Sequence, residues 1–212
     1  MKSIKLFSGL FLASVLMVSC SSEEPQKVIS TKSEPARIMA PFRFHKAVEV
    51  KPGLTLDVLS WGRGTDSIGG YLILRSDSSH YSYRSVTGEL KGKMVDSWGM
   101  DLDTDGNPEI FIQAVSAENK GELNMYVYEY NDSGSGQQIR FPDLSSSTKE
   151  GYHGGDSLYI KEGRLIREFQ ISVEEDSSKT PVQKVKKLEY SLRNNSFQVK
   201  EIKEETQEEK KK

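Results

Sequence analysis

The feature that most constrains the fold is a series of eight short runs, rich in β-branched and aromatic residues and separated by Gly, Asp, Asn and Ser. Each run has the length of a strand, and several alternate apolar with polar residues, as half-buried strands do. They lie at 54–58, 71–74, 109–112, 124–128, 157–160, 165–169, 187–190 and 196–199. This spacing predicts an all-β chain that forms an antiparallel β-sandwich or barrel-like single domain with little helix.

Local signals add detail to this expectation. Asn194 and Asn195 lie between the last two runs and predict a tight hairpin turn, because Asn tolerates positive φ. The one short stretch with helical character is 142–150, and its serines weaken it. No sequence repeat with a period of 20 to 50 residues is present, which argues against a propeller or a solenoid.

The first 20 residues have the pattern of an export signal. Lys2 and Lys5 precede an apolar stretch at 6–18, and Ser19 stands before Cys20, the single cysteine. The apolar stretch is shorter than the roughly 20 residues of a membrane-spanning helix, so we expect it to be removed. Residues 16–20, Leu-Met-Val-Ser-Cys, resemble a lipobox, which implies cleavage before Cys20 and lipidation of its thiol. Acyl chains on Cys20 would then anchor the protein in a membrane.

These signals divide the chain into four predicted parts. Residues 1–19 are the signal peptide, 20–40 the lipidated Cys20 and a flexible tether, 41–202 the β domain, and 203–212 a charged disordered tail. Ser21 directly after Cys20 resembles outer-membrane sorting, with the domain facing the periplasm or the cell surface. Loss of Lys2 and Lys5 with the signal changes the net charge from −2 to −4, so the basic footprint of a nucleic-acid-binding protein is absent.

The segment 101–109, Asp-Leu-Asp-Thr-Asp-Gly-Asn-Pro-Glu, is the one whose chemistry stands out. Alternate carboxylates on a tight turn converge on a hard cation, and Gly106 permits the sharp bend, so calcium is the natural ligand. The candidate ligands are Asp101, Asp103, Asp105, Asn107 and Glu109. An EF-hand is excluded because its twelfth position, a bidentate glutamate, is Ile112 here. The alternative is that Asp and Gly only make the turn, with Asp101 or Asp103 bonding backbone amides, and that no cofactor binds.

The sequence contains no recognisable catalytic motif. His45, His80 and His153 are far apart and have no flanking signature, and nucleophile elbows, zinc-protease motifs and phosphate loops are absent. A single cysteine also excludes a zinc-thiolate cluster. We therefore expect a protein that is not an enzyme, although a pair of carboxylates assembled in space, as in a cell-wall glycan hydrolase, stays an alternative.

Three segments in order resemble the family of periplasmic inhibitors of invertebrate-type lysozyme. They are Ser-Ile-Gly-Gly-Tyr-Leu-Ile-Leu-Arg at 67–75, the acidic segment with the strand after it at 101–112, and Gly-Tyr-His-Gly-Gly-Asp at 151–156 leading into 162–169. The resemblance covers about 48–199. It implies a β-sandwich that inserts a loop into the active-site cleft of a lysozyme, and often a homodimer.

The family's inhibitory loop carries Ser-Gly-x-x-Tyr, and this chain departs from that pattern. The matching place is Asn119, Lys120, Gly121 and Glu122, where one glycine is kept. These four residues are the candidate binding loop. The leading hypothesis is a membrane-anchored, non-enzymatic lipoprotein with a lysozyme-inhibitor-like domain that binds a protein, such as a lysozyme, or a glycan. A calcium-stabilised adhesion or glycan-binding surface module is the second hypothesis, and the cell-wall hydrolase is the third.

Overall fold

The computed structural model describes residues 38–62, 68–77, 82–116, 121–131, 134–173 and 181–202. The predicted signal peptide, Cys20, most of the tether and the charged tail lie outside the described residues. The compact unit that contains the strands is Arg37–Lys212. In the described part of the chain, no helix is long and apolar enough to cross a bilayer.

Twelve antiparallel strands form three sheets of four, which confirms the all-β prediction. The strands are β1 (Phe42–Lys51), β2 (Leu54–Trp61), β3 (Ile68–Asp77), β4 (Ser82–Lys91), β5 (Lys93–Met100), β6 (Glu109–Val115), β7 (Leu123–Tyr130), β8 (Gly136–Ile139), β9 (Ser157–Lys161), β10 (Arg164–Val173), β11 (Val182–Arg193) and β12 (Ser196–Ile202). Strands β1–β4 form sheet A, β5–β8 sheet B and β9–β12 sheet C, each with its strands in sequence order or its reverse. The architecture thus repeats a four-stranded meander three times, although the sequence does not repeat.

Sheet B shares one hydrophobic core with sheet A and another with sheet C. Ile110, Ile112 and Ala114 of β6 pack in the core that contains residues of sheet A, while Phe111 packs in the core that contains residues of sheet C. All four side chains are fully buried. Strand β6 is a nearly continuous apolar run for this reason, because a strand covered on both faces has no solvent side for alternating polar residues.

Asn and Gly residues occupy the turns that join neighbouring strands. Asn194 and Asn195 have φ of 48° and 56°, and Arg193 pairs with Ser196, so the predicted two-residue hairpin turn is confirmed. The chain passes from sheet A to sheet B at Gly92, where a Cβ would lie 2.3 Å from the carbonyl oxygen of Val115, so only glycine fits.

The helical character expected at 142–150 is reduced to a single turn. The Lys149 amide donates to the Ser145 carbonyl at 2.9 Å, but no described residue is part of a helix. The Ser145 hydroxyl accepts from the Thr148 amide at 3.2 Å. A serine hydroxyl that bonds local backbone in this way competes with continuation of the helix.

Candidate functional site

The acidic segment forms the loop between β5 and β6, and Asp101 organises its turn. The carboxylate of Asp101 accepts from the amides of Asp105 at 3.1 Å and Gly106 at 3.0 Å. Thr104 and Gly106 have φ of 60° and 91°, so the backbone bends sharply twice. The turn-making role that the sequence analysis gave as an alternative for Asp101 is therefore present.

Three of the five predicted ligands come together. Asp101, Asp103 and Glu109 each offer a carboxylate oxygen, and these three oxygens all lie within 4.8 Å of one another. Two oxygens that bind one calcium ion at about 2.4 Å lie at most about 4.8 Å apart, so the spacing fits a shared cation. The described residues therefore bring three carboxylates to calcium-binding distance.

The other two predicted ligands bind each other instead. Asp105 accepts from the amide of Asn107 at 2.7 Å and from its side-chain amide at 3.0 Å. Asp105 is exposed, and its carboxylate is not part of the three-carboxylate group. Their arrangement closes the turn rather than filling the site.

Glu129 is a carboxylate beside this site that the sequence analysis did not identify. It lies on β7 directly across from Glu109 on β6, and it is 7% exposed. Burial raises the pKa of Glu129, and the negative charges of Asp105 and Asp103 raise it further. A signal for it exists in the sequence, an acidic residue between two tyrosines near a strand end, but only the strand register places it beside Glu109.

Three carboxylate oxygens at this site are buried and accept no hydrogen bond in the described part of the chain. They are Asp103 Oδ1, Glu109 Oε1 and Glu129 Oε2. Glu109 is fully buried, and its other oxygen accepts from the Leu102 amide at 2.8 Å. A buried carboxylate oxygen without a donor is costly, so each of the three requires a positive partner or a proton.

The raised pKa values of Glu109 and Asp103 also indicate that this site lacks a positive partner. Burial raises the pKa of Glu109 to about 7, against the Leu102 hydrogen bond that lowers it, and the charges of Asp103 and Asp101 add to the rise. Burial also raises the pKa of Asp103, as does the charge of Asp105. Without a cation, the site holds more negative charge than its surroundings stabilise.

The candidate binding loop lies at the other end of β6. Asn119 and Lys120 are outside the described residues, Gly121 has φ of 81°, and the Ser116 amide donates to the Glu122 carbonyl at 2.9 Å. The Glu122 carboxylate accepts from Lys149 Nζ at 2.6 Å. Glu122 is thus an ion-paired residue beside a closed turn.

Two of the three histidines, and Tyr71 of the segment 67–75, have structural partners, while His80 lies outside the described residues. Tyr71 is 2% exposed and its hydroxyl is 2.6 Å from that of Tyr128, so Tyr71 belongs to the core. His45 Nε2 lies 2.7 Å from Asp57, and His153 Nε2 lies 2.6 Å from the Ser172 hydroxyl. Among the described residues, no carboxylate contacts His153 to orient it as a base.

Comparison of the sequence with protein-family models gave no match, and comparison with curated proteins gave none either.

Proposed function

We propose that this chain is a membrane-anchored, non-enzymatic binding protein whose β domain is stabilised by one calcium ion at Asp101, Asp103 and Glu109, beside Glu129. The observation that carries the calcium part of the proposal is the fully buried Glu109, whose Oε1 has no hydrogen-bond donor and which lies within a group of three carboxylates. One cation would satisfy Glu109 and its neighbours together.

The ligand set favours calcium over other metals. All the available donors are carboxylate oxygens, which suit calcium, whereas zinc prefers nitrogen and sulfur. The three carboxylates supply part of the six to eight contacts that calcium takes, and waters from the exposed side of the loop would complete them. Magnesium needs a smaller octahedron and retains several of its waters, so we expect it to bind more weakly.

The position of the site explains what calcium would do. Asp101 and Asp103 belong to the loop after β5, Glu109 begins β6 and Glu129 lies on β7. A cation bound to Asp101, Asp103 and Glu109 would link the loop to β6 and would lie beside Glu129 of β7. Because sheet B contributes to both hydrophobic cores, this link would stabilise the whole stack of sheets.

The same site is a poor candidate for glycan hydrolysis. Glu109, with its raised pKa and neighbouring carboxylates, has the electrostatics of a general acid. However, Glu109 is 0% exposed, and a glycosidic oxygen must reach the acid that protonates it. Metal binding uses the buried carboxylates, whereas hydrolysis would require them at an open cleft.

Calcium titration of the full chain tests this proposal. We expect calorimetry to show one site and the melting temperature to rise with calcium, because a ligand that binds only the folded state stabilises it by about 2.7 kcal/mol at 100 times its Kd. Magnesium at equal concentration should give a smaller rise. No heat and no rise in melting temperature would refute the calcium site.

The membrane anchor and the partner are further parts of the proposal. The lipobox-like residues before Cys20 support anchoring, in an outer membrane and facing the periplasm or the cell surface. The family resemblance supports a protein partner, a lysozyme, with a glycan as the alternative. Residual lytic rate and complex formation with invertebrate-, chicken- and goose-type lysozymes test this part. Failure with all three would refute the lysozyme as partner but leave the calcium site untouched.

A further inference from the structure

The outer edge of β7 is only half covered by its neighbour. Strand β8 pairs with β7 from Val127↔Ile139 to Tyr130↔Gly136, and the chain leaves the sheet after Ile139. On the other side, β6 pairs with β7 as far as Leu123. Residues 123–126 of β7 therefore have a strand on one side only.

The hydrogen bonds show which backbone groups face that open side. The Tyr130 amide donates to the Pro108 carbonyl, and the Ser116 amide donates to the carbonyl of Glu122, just before β7. The backbone groups of even-numbered residues therefore face β6. The Leu123 amide instead donates to Asp156, away from β6. Since strand residues alternate, the amide and carbonyl of Met125 also point away from β6. Among the described residues, no group hydrogen-bonds to either of them.

A cleft of about 220 Å³ lies at this open edge, lined by Met125 together with Lys91, Phe141, Leu144 and Arg167. Arg167 is 2% exposed, and its Nε donates to Asp156 at 2.9 Å. Its Nη2 is buried and has no hydrogen-bond partner in the described part of the chain. The cleft thus offers an unused backbone amide, an unused backbone carbonyl and an unused guanidinium donor.

Two of the acidic residues along the cleft have cationic partners of their own. Glu122 accepts from Lys149 at 2.6 Å, and Asp143 lies 3.4 Å from Arg140. Lys91 and Glu89, which also line the cleft, carry opposite charges. The lining charges are thus close to balance, and the specific donor for an incoming carboxylate is Arg167 Nη2.

We propose that this cleft binds the carboxyl-terminal residue of a peptide. The last residue of the peptide adds to β7: its amide donates to the Met125 carbonyl, and its carboxylate accepts from the Met125 amide and from Arg167 Nη2. The volume holds one or two residues, and the segment at 141–144 lines the cleft, which suits a chain end better than a passing strand. This site is separate from the calcium site, and the proposal does not depend on it.

The test compares two probes that differ only at the carboxylate. The full chain, isotope-labelled and in calcium buffer, is titrated with N-acetyl-trialanine that ends in a free acid, and with the same peptide ending in an amide. We expect the free acid to shift the amide resonances of Leu123–Tyr126 with a Kd in the millimolar range, and amidation to weaken binding at least tenfold. Equal binding of both peptides, no binding, or shifts elsewhere would overturn the proposal.

Three variants separate the contacts. Met125→Pro removes the outward amide without breaking the ladder to β6, because an edge strand tolerates proline where its amide is unpaired, and it should abolish binding of the free acid. Met125→Leu keeps the amide and should bind as the wild type does. Arg167→Lys should reduce the preference for the free acid to about twofold or less. If Arg167→Lys does not fold, the two Met125 variants decide: equal binding by both would overturn the proposal.

A second copy of the chain is the competing occupant of the open edge. In that case residues 123–126 would become protected from hydrogen exchange as protein concentration rises, without any peptide. Such protection would assign the cleft to a dimer interface and overturn the peptide proposal.

Discussion

Replacing Glu109 with Gln should have two effects of opposite sign. The substitution keeps the shape of the side chain and an oxygen that accepts from the Leu102 amide, but it removes a negative charge from a fully buried position. We expect Glu109→Gln to be more stable than the wild type when calcium is chelated. We also expect it to lose most of the stabilisation that calcium gives.

The size of the first effect follows from the pKa of Glu109. Burial raises this pKa from 4.5 to about 7. At about 1.4 kcal/mol for each pH unit, keeping Glu109 ionised above pH 7 costs the folded state about 3 kcal/mol. A neutral glutamine avoids this cost, so we expect a gain of about 1–3 kcal/mol at pH 8, or about 2–4 °C in melting temperature for each kcal/mol.

Urea unfolding at pH 8 measures both effects, with the fluorescence of Trp61 and Trp98 as the signal. Each variant is unfolded once with chelator and once with excess calcium. Glu122→Gln is the matched control, since it makes the same chemical change at the opposite end of β6 and should keep the full calcium response. The reasoning is refuted if Glu109→Gln is less stable than the wild type in chelator, or if it responds to calcium as the wild type does.

Three further predictions concern the pH dependence at Glu109, the buried ion pair of Asp156, and Cys20. In chelator, we expect the wild type to lose stability relative to Glu109→Gln as pH rises from about 4.5 to about 7, because the raised pKa of Glu109 lets the folded state keep a proton that the unfolded state has released. Urea titrations at several pH values measure both free energies of unfolding, and a difference that does not change with pH would contradict the prediction. Asp156→Asn breaks the buried ion pair with Arg167, in which both side chains are at most 3% exposed, so it should destabilise the domain by about 3–5 kcal/mol in urea unfolding. The control is Asp143→Asn at an exposed ion pair, which should change stability by less than about 1 kcal/mol. Cys20→Ser should move the chain from the membrane fraction to the soluble fraction, and retention in the membrane would argue against lipid anchoring.

The sequence predicts the inner strands of sheets A and B much better than their edges. All eight predicted runs lie within strands, whereas β1, β4, β5 and β8 were not predicted. These four strands are the edges of sheets A and B. Edge strands carry more polar residues and present unpaired backbone to solvent, so apolar alternation is weak in them. In β1, for example, Val48 is the single side chain that is buried.

The candidate metal site was predicted in part for a similar reason. Asp101, Asp103 and Glu109 are close in sequence, so their spacing alone brings them together. Glu129 lies beside Glu109 through the pairing of β6 with β7, which is a property of register and not of spacing. Asp105 and Asn107 were predicted as ligands because they alternate with the others, but they hydrogen-bond each other. Alternation therefore does not distinguish carboxylates that close a turn from those that face a cation.

The buried carboxylates are difficult to explain by the stability of an empty domain. Asp103 in the loop, Glu109 on β6 and Glu129 on β7 place oxygens without donors at one end of sheet B, on which both hydrophobic cores depend. The charges of Asp103 and Glu129 raise the pKa of Glu109, and the charge of Asp103 also raises the pKa of Glu129, so the carboxylates are costly to ionise together. We expect neutral residues at these positions to make the cation-free protein more stable. The carboxylates therefore fit the proposal of a domain that reaches its full stability only when calcium is bound.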